Sequence, residues 1–167
     1  MGLFSKKKNS VEELLHEQGF ISEKTIELGQ PPYTVEQKFF VDGKGKKFAY
    51  YLKSKDIGLR IFDFNSLLSF ELQEDGHTLS EGTAVKALAG GLLFGAAGAL
   101  VGAVGKKKSR SVCESMVLRI RVNDLQDPLL NYYLIAKKVK NNSDEYSKAK
   151  QQAEELIATL AYIENNK

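Results

Sequence analysis

Few residues in this chain have the types and spacing that chemistry requires. Its two histidines, His16 and His77, and its single cysteine, Cys113, stand at no metal-ligand spacing, so no metal site is expected. Cys113 lies just before a strand-like run and reads as a core residue rather than a reactive thiol. His77 falls in a polar turn, without the partner that an oriented base needs, and His16 reads as a surface residue. The acidic pairs Glu12-Glu13, Glu74-Asp75 and Glu154-Glu155 read as solvated faces and turns. A phosphate loop needs Gly, four residues, then Gly-Lys-Ser/Thr; at Gly105-Lys106 the first glycine is replaced by Leu100 and the hydroxyl by Lys107. The run Asp42-Gly43-Lys44-Gly45-Lys46-Lys47 lacks the third glycine of a dinucleotide fingerprint. No catalytic residue and no cofactor is expected, and the chain is read as a protein other than an enzyme.

Binding chemistry is better represented. Lys44, Lys46 and Lys47 form a candidate anionic-ligand turn, with Lys53 and Lys55 nearby in sequence. A second basic group, Lys106, Lys107, Lys108 and Arg110, comes directly after a long apolar run. Near an anionic surface each such cation contributes about 1 kcal/mol. Nucleic acid is the rival use of these patches, with Tyr50 and Tyr51 available to stack on bases. Strand packing accounts for both tyrosines more simply, so nucleic acid is not the expected partner.

The apolar run, Ala87 to Gly105, reads ALAGGLLFGAAGALVGAVG, nineteen residues without charge in a chain that is 27% charged. Small residues recur four apart at Gly91, Gly95, Ala99 and Ala103, with a second row at Gly98 and Gly102. On a helix they line one face on which another backbone can approach closely. Such a helix is poor in water, where each interior glycine costs about 0.8–1 kcal/mol relative to alanine. In lipid the backbone must satisfy its own hydrogen bonds, which favours helix whatever the propensity. The candidate membrane or oligomer insertion is Gly91, Leu92, Leu93, Phe94, Gly95, Gly98, Leu100, Val101 and Gly102, with Lys106, Lys107, Lys108 and Arg110 as basic anchor. At 1.5 Å per residue the run spans about 28 Å, close to the roughly 30 Å hydrocarbon core. A crossing would separate the flanks, so the expected form is a hairpin reversing near Gly95 to Gly98. A flexible surface loop or a buried packing segment is the plainer alternative.

The elements that must position these groups emerge from length and pattern. A chain of 167 residues with formal net charge +3 suits one ordinary domain with an appendage. One cysteine excludes an internal disulfide, and no signal-type apolar core precedes Lys6 to Lys8, so a cytoplasmic location is expected, at the inner face of the cell membrane. Ser10 to Gln18 reads as a short helix with a Ser10–Glu13 capping box and a stop at Gly19. Ser22 to Leu28 is expected to add further helical turns, and Pro31 and Pro32 end them. Residues 1–30 are thus read as a tail and short helix.

Alternation then takes over. Strands are expected over Tyr33 to Val41, Lys47 to Lys53, Ile57 to Phe62 and Leu68 to Gln73, the last with Leu68, Phe70 and Leu72 inward. After the insertion, placed at 82–108, Met116 to Val122 and Leu129 to Ala136 resume the pattern. A helix capped by Asn142 and Glu145 comes last, with Tyr146, Ala149, Ala153, Leu156, Ile157, Leu160 and Ile163 on its apolar face. Neither flank has enough strands for its own core. The fold class is therefore α+β: residues 33–163 form one six- or seven-stranded bent antiparallel sheet capped by a C-terminal amphipathic helix, interrupted by the glycine-rich helical hairpin.

That order resembles a pleckstrin-homology-like (PH-like) domain. The run from DFNSLLSFELQEDGHTLSEG through the glycine-rich segment to SMVLRIRVNDLQDPLLNYYLI is similar to small bacterial and prophage proteins with such an insertion. The resemblance implies a non-catalytic binding module. It also implies that basic residues in the first hairpin are where relatives bind phosphoinositides, and Lys44, Lys46 and Lys47 lie in a comparable turn. The expected function is a membrane-associated adaptor tethered by its glycine zipper, with a membrane surface or partner protein at the insertion and a homo-oligomer through its small faces. The alternative is a soluble, phage-encoded interaction or self-assembling protein whose glycine-rich arm docks into a partner.

Overall fold

The computed structural model describes residues 10–28, 35–53, 58–82 and 111–167. Helix α1, Val11–Glu17, starts with the anticipated capping box: Glu13 N–H donates to the Ser10 hydroxyl at 3.2 Å, and Ser10 N–H donates to the Glu13 carboxylate at 2.9 Å. Gly19, at φ +70°, turns the chain out of the helix. The next element is a strand rather than a helix. β1, Lys24–Leu28, occupies the stretch expected to add helical turns. Five residues cannot sustain an isolated helix, whereas Ile26 and Leu28 alternate inward and every residue of β1 has a partner on β2, Gln37–Asp42.

β2 continues antiparallel through the turn at 43–46 into β3, Lys47–Leu52, which pairs with β4, Leu59–Asp63. These strands form a sheet in the order β1-β2-β3-β4. Its two faces are both covered. Phe39, Val41, Phe48 and Tyr50 face the main core, while Phe40 and Ala49 face Val11, Leu15 and Phe20 of the α1 region. Strand β2 is accordingly almost continuously buried, as a strand sandwiched between two layers must be.

A single 3-10 turn, Phe64–Ser66, leads into a second sheet in the order β6-β5-β8-β9, with β5 Leu67–Glu74, β6 His77–Gly82, β8 Met116–Val122 and β9 Leu129–Ile135. A short pair, β7 Val112–Cys113 with β10 Val139–Lys140, stands beside it. Two four-stranded sheets therefore replace the one six- or seven-stranded sheet expected. The stretch at His77 has the composition of a polar turn, yet the tight Asp75-Gly76 turn, both residues at positive φ, folds it back onto β5 as β6. In β5 the inward residue is Leu67, and Leu68 is 53% exposed, contrary to expectation. A register shift between Leu67 and Ser69 inverts the alternation there, while Phe70 and Leu72 point inward as expected. β8 keeps its pattern throughout, with Met116, Leu118, Ile120 and Val122 buried.

The closing helix α2, Asp144–Asn165, lays Ala149, Ala153, Leu156, Ile157, Leu160 and Ile163 onto the core between the sheets, with Tyr146 half-buried. Its cap is Ser143, whose hydroxyl accepts Tyr146 N–H at 3.3 Å, one residue later than the Asn142 cap expected. The architecture is α+β, with antiparallel sheets and a C-terminal helix.

Candidate functional site

The lysine turn is built by a buried carboxylate. Asp42, at the end of β2, accepts Gly45 N–H at 2.7 Å and Ile21 N–H at 3.1 Å. A Cβ at Gly45 would collide with that carboxylate, which its two hydrogen bonds hold in place, so the turn requires glycine here. Lys46 then adopts φ +52°, and its carbonyl accepts Phe64 N–H at 2.8 Å, tying the turn to the junction between the sheets. Lys44 and Lys46 are exposed; Lys47 is half-buried and stands opposite Asp63 in the β3–β4 register. The turn joins the second and third strands, so it is the second hairpin of the sheet rather than the first. Lys53 is already paired with Glu36 at 3.0 Å, and Lys55 lies outside the described residues.

The insertion residues Gly91, Leu92, Leu93, Phe94, Gly95, Gly98, Leu100, Val101 and Gly102, and the anchors Lys106, Lys107, Lys108 and Arg110, also lie outside the described residues. Their flanks do not. β6, ending at Gly82, runs along β5, and β5 pairs with β8 from beyond the insertion. The returning chain is pinned at β7: Asp75 accepts Glu114 N–H at 2.7 Å and Ser115 N–H at 2.9 Å, and Asp75 N–H donates to the Ser115 carbonyl.

This clasp gathers residues that the sequence kept apart. Ligand-type atoms of Glu74, Asp75 and Cys113 lie within 4.8 Å of one another. Glu74 and Asp75 are thus half-buried structural groups rather than a solvated turn. Each is engaged: the Tyr146 hydroxyl donates to Glu74 at 3.0 Å, backbone N–H groups reach Asp75, and the Cys113 thiol donates to the Ser115 carbonyl. Burial, then the Glu74 and Asp75 charges, push the thiol up to about 12, which keeps it protonated and unreactive. His16 and His77 are both exposed.

Residues 29–136 match the family described as glycine zipper containing PH domain. The chain belongs to this family. No curated protein and no solved structure matches it. PH-type domains typically bind lipids or proteins and are generally non-enzymatic. α1 and β1 precede the matched segment and α2 comes after it, although all three pack on the core of this PH domain.

The structure also shows polar contacts that the sequence did not announce. Arg60 donates to Asp124 at 2.8 Å, to the Asp127 carboxylate at 2.6 Å and to the Asp127 carbonyl at 3.0 Å, holding the β8–β9 loop against β4. Asp124 in turn accepts Gln126 and Asp127 N–H, and these backbone bonds, with Arg60, hold its carboxyl below the ordinary value of 3.8. Lys38 sits among Glu12, Glu27 and Glu36, linking α1 to the sheet. In sequence, only the opposite signs of widely separated charges hint at either group.

Proposed function

We propose that this PH domain is a non-catalytic binding module held at a membrane surface by residues 87–105, which enter the near leaflet as a helical hairpin. Lys106, Lys107, Lys108 and Arg110 then meet lipid phosphates, where basic anchors are favoured. The observation that carries this reading is the pairing of β5 with β8 across the insertion. Strands joined by a ladder of backbone hydrogen bonds lie on one side of a bilayer, so the intervening segment must leave and return on that side. A hairpin satisfies this, and its small residues let the two legs, or legs of neighbouring copies, pack closely. Among the described residues no helix is long and apolar enough to cross a membrane.

The test compares wild type with a variant in which residues 87–105 become a short Gly-Ser linker. Wild type is expected to stay in the membrane pellet through high salt and an alkaline wash, because insertion, unlike surface attraction, survives screening. The variant is expected in the supernatant, folded. A soluble wild type overturns the proposal and points to a glycine-rich arm that grips a protein.

A further inference from the structure

Ser111 is the first described residue after the insertion, and the fold decides what stands beside it. Strand β7 pairs antiparallel with β10, so that Val112 lies opposite Lys140 and Cys113 opposite Val139. The contact continues one residue outward, where Asn141 N–H donates to the Ser111 carbonyl at 3.1 Å. Lys138 approaches the same stretch, its ammonium 3.9 Å from the Glu114 carboxylate. The segment that carries Lys137, Lys138 and Lys140 is thus fastened to the returning end of the insertion. In sequence these lysines stand apart from Lys106, Lys107, Lys108 and Arg110; the fold makes the two groups adjoin.

All three lysines are exposed. Over 111–115 and 136–141 they face one carboxylate, that of Glu114, which leaves a net charge of +2. The carboxylates of the adjoining turn are half-buried and engaged: Glu74 accepts the Tyr146 hydroxyl, and Asp75 accepts two backbone N–H groups. The two roots of the insertion therefore differ in charge as well as in place. The chain leaves where Gly82 lies opposite Phe70 and returns where Met116 lies opposite Glu74. Those points are four residues apart along β5, about 13 Å at 3.3 Å per residue. β6, at the leaving root, carries no lysine or arginine.

We propose that Lys137, Lys138 and Lys140 complete the basic anchor and lay the β7–β10 end of the domain on an anionic bilayer. The inference rests on the membrane reading of residues 87–105 and adds an orientation to it. Where Arg110 meets lipid phosphates, Ser111 follows by one peptide bond, and Asn141 and Lys140 lie against the β7 backbone. These ammoniums then reach the surface within the screening length of about 8–10 Å at ordinary salt. Each acts through its charge near an anionic leaflet, without a pocket and without directed hydrogen bonds to one headgroup. Phosphatidylglycerol and phosphatidylserine should therefore serve alike.

The experiment measures partition of the full chain onto vesicles of phosphatidylcholine, pure or mixed with phosphatidylglycerol or with phosphatidylserine. The variant Lys137→Gln/Lys138→Gln/Lys140→Gln removes three exposed charges and one long surface ion pair, so its melting temperature should match that of wild type. On either anionic mixture its partition should fall by about a hundredfold, roughly fivefold for each lysine. On pure phosphatidylcholine it should equal wild type. A control, Lys24→Gln/Lys53→Gln/Lys167→Gln, makes the same change in charge on the first sheet and beyond α2, and should lose far less. Equal partition of wild type and the first variant on anionic vesicles overturns the proposal. So does an equal loss in the control, which would make net charge the cause, or a strong preference for one anionic lipid. The membrane reading is tested separately on pure phosphatidylcholine, where wild type should stay bound through an alkaline wash. Release there overturns the hairpin; retention without any effect of the three lysines overturns this inference alone.

Discussion

The joint between the two sheets and the rim of the surface depression lined by Lys46, Asp63, Asn65, Ser66 and Asn123 are both polar, and they treat polarity in opposite ways. At the joint, Gln37 is 1% exposed and its amide closes a two-bond bridge to Tyr133, donating to the carbonyl at 2.8 Å and accepting from N–H at 2.9 Å. The bridge imitates a strand pair where β2 and β9 belong to different sheets. Around it Tyr132 meets Tyr50 and Phe39 edge-on, at ring separations of 4.7 and 6.0 Å. At the rim, Lys46, Asn65, Ser66 and Asn123 side chains bond to nothing among the described residues. Buried polar groups must find partners or cost stability, whereas exposed ones are satisfied by water. The joint therefore specifies the fold, whereas the rim adds little to it.

The sharpest way to break this contrast is at Gln37. Gln37→Leu keeps the volume roughly but leaves both Tyr133 backbone groups without their partner, an expected loss of about 2–4 kcal/mol. Urea denaturation of the variant reads it directly. A loss no larger than that of Asn65→Leu at the rim would erase the distinction.

Arg60→Ala comes next. It removes three bonds to the β8–β9 loop and the contact over Phe62, 4.9 Å from the ring centre. Because the group is partly exposed, about 1–2 kcal/mol is expected. Amide exchange at Gln126 and Asp127 should accelerate, since Asp124 loses the partner that orients it. Wild type should show the same loosening in acid: the folded Asp124 carboxyl titrates below 3.8, so its contribution is present above that value and lost as pH falls through the lower folded one. Unchanged exchange in the variant would mean that the loop is ordered by its own turn alone. That loop carries Leu125, fully exposed to solvent, so its order decides where an apolar side chain is presented.

How much of this is legible in the sequence depends on how local each cause is. The capping box of α1 spans four residues and can be read outright, as can the unbroken alternation of β8. β1 cannot, because five residues have no fixed preference until β2 is beside them. Pattern alone misplaces Leu68, because a register shift inverts an alternation that otherwise looks regular. Arg60 and Asp124 are 64 residues apart, and nothing short of the fold brings them together. The depression is half legible: Lys46 stands out as part of a basic turn, but Asn65, Ser66 and Asn123 are ordinary turn residues until four stretches converge.

Tyr132→Phe tests the joint from the other direction. The Tyr132 hydroxyl is fully buried and lacks a hydrogen-bond partner among the described residues, so removing it should stabilise the protein by about 1 kcal/mol. Thermal denaturation reads the change; a loss would reveal a partner, such as a buried water, that makes the joint fully satisfied after all.

The smallest effect is expected at Glu74, where the two regimes meet in one residue. Burial raises its carboxyl above the ordinary 4.5, and the hydrogen bond from Tyr146 opposes that shift without cancelling it. A carboxyl raised on folding binds its proton more tightly in the folded state than in the unfolded. Its contribution to stability is therefore greatest below 4.5 and falls as pH climbs through the raised folded value. Glu74→Gln keeps an oxygen to accept the Tyr146 hydroxyl and removes the charge that burial disfavours. The variant should melt slightly higher than wild type at neutral pH, and the difference should vanish on acidification. A variant that melts lower at neutral pH would show that the charge of Glu74 is itself used, which would move the clasp at the root of the insertion from the side of folding to that of binding.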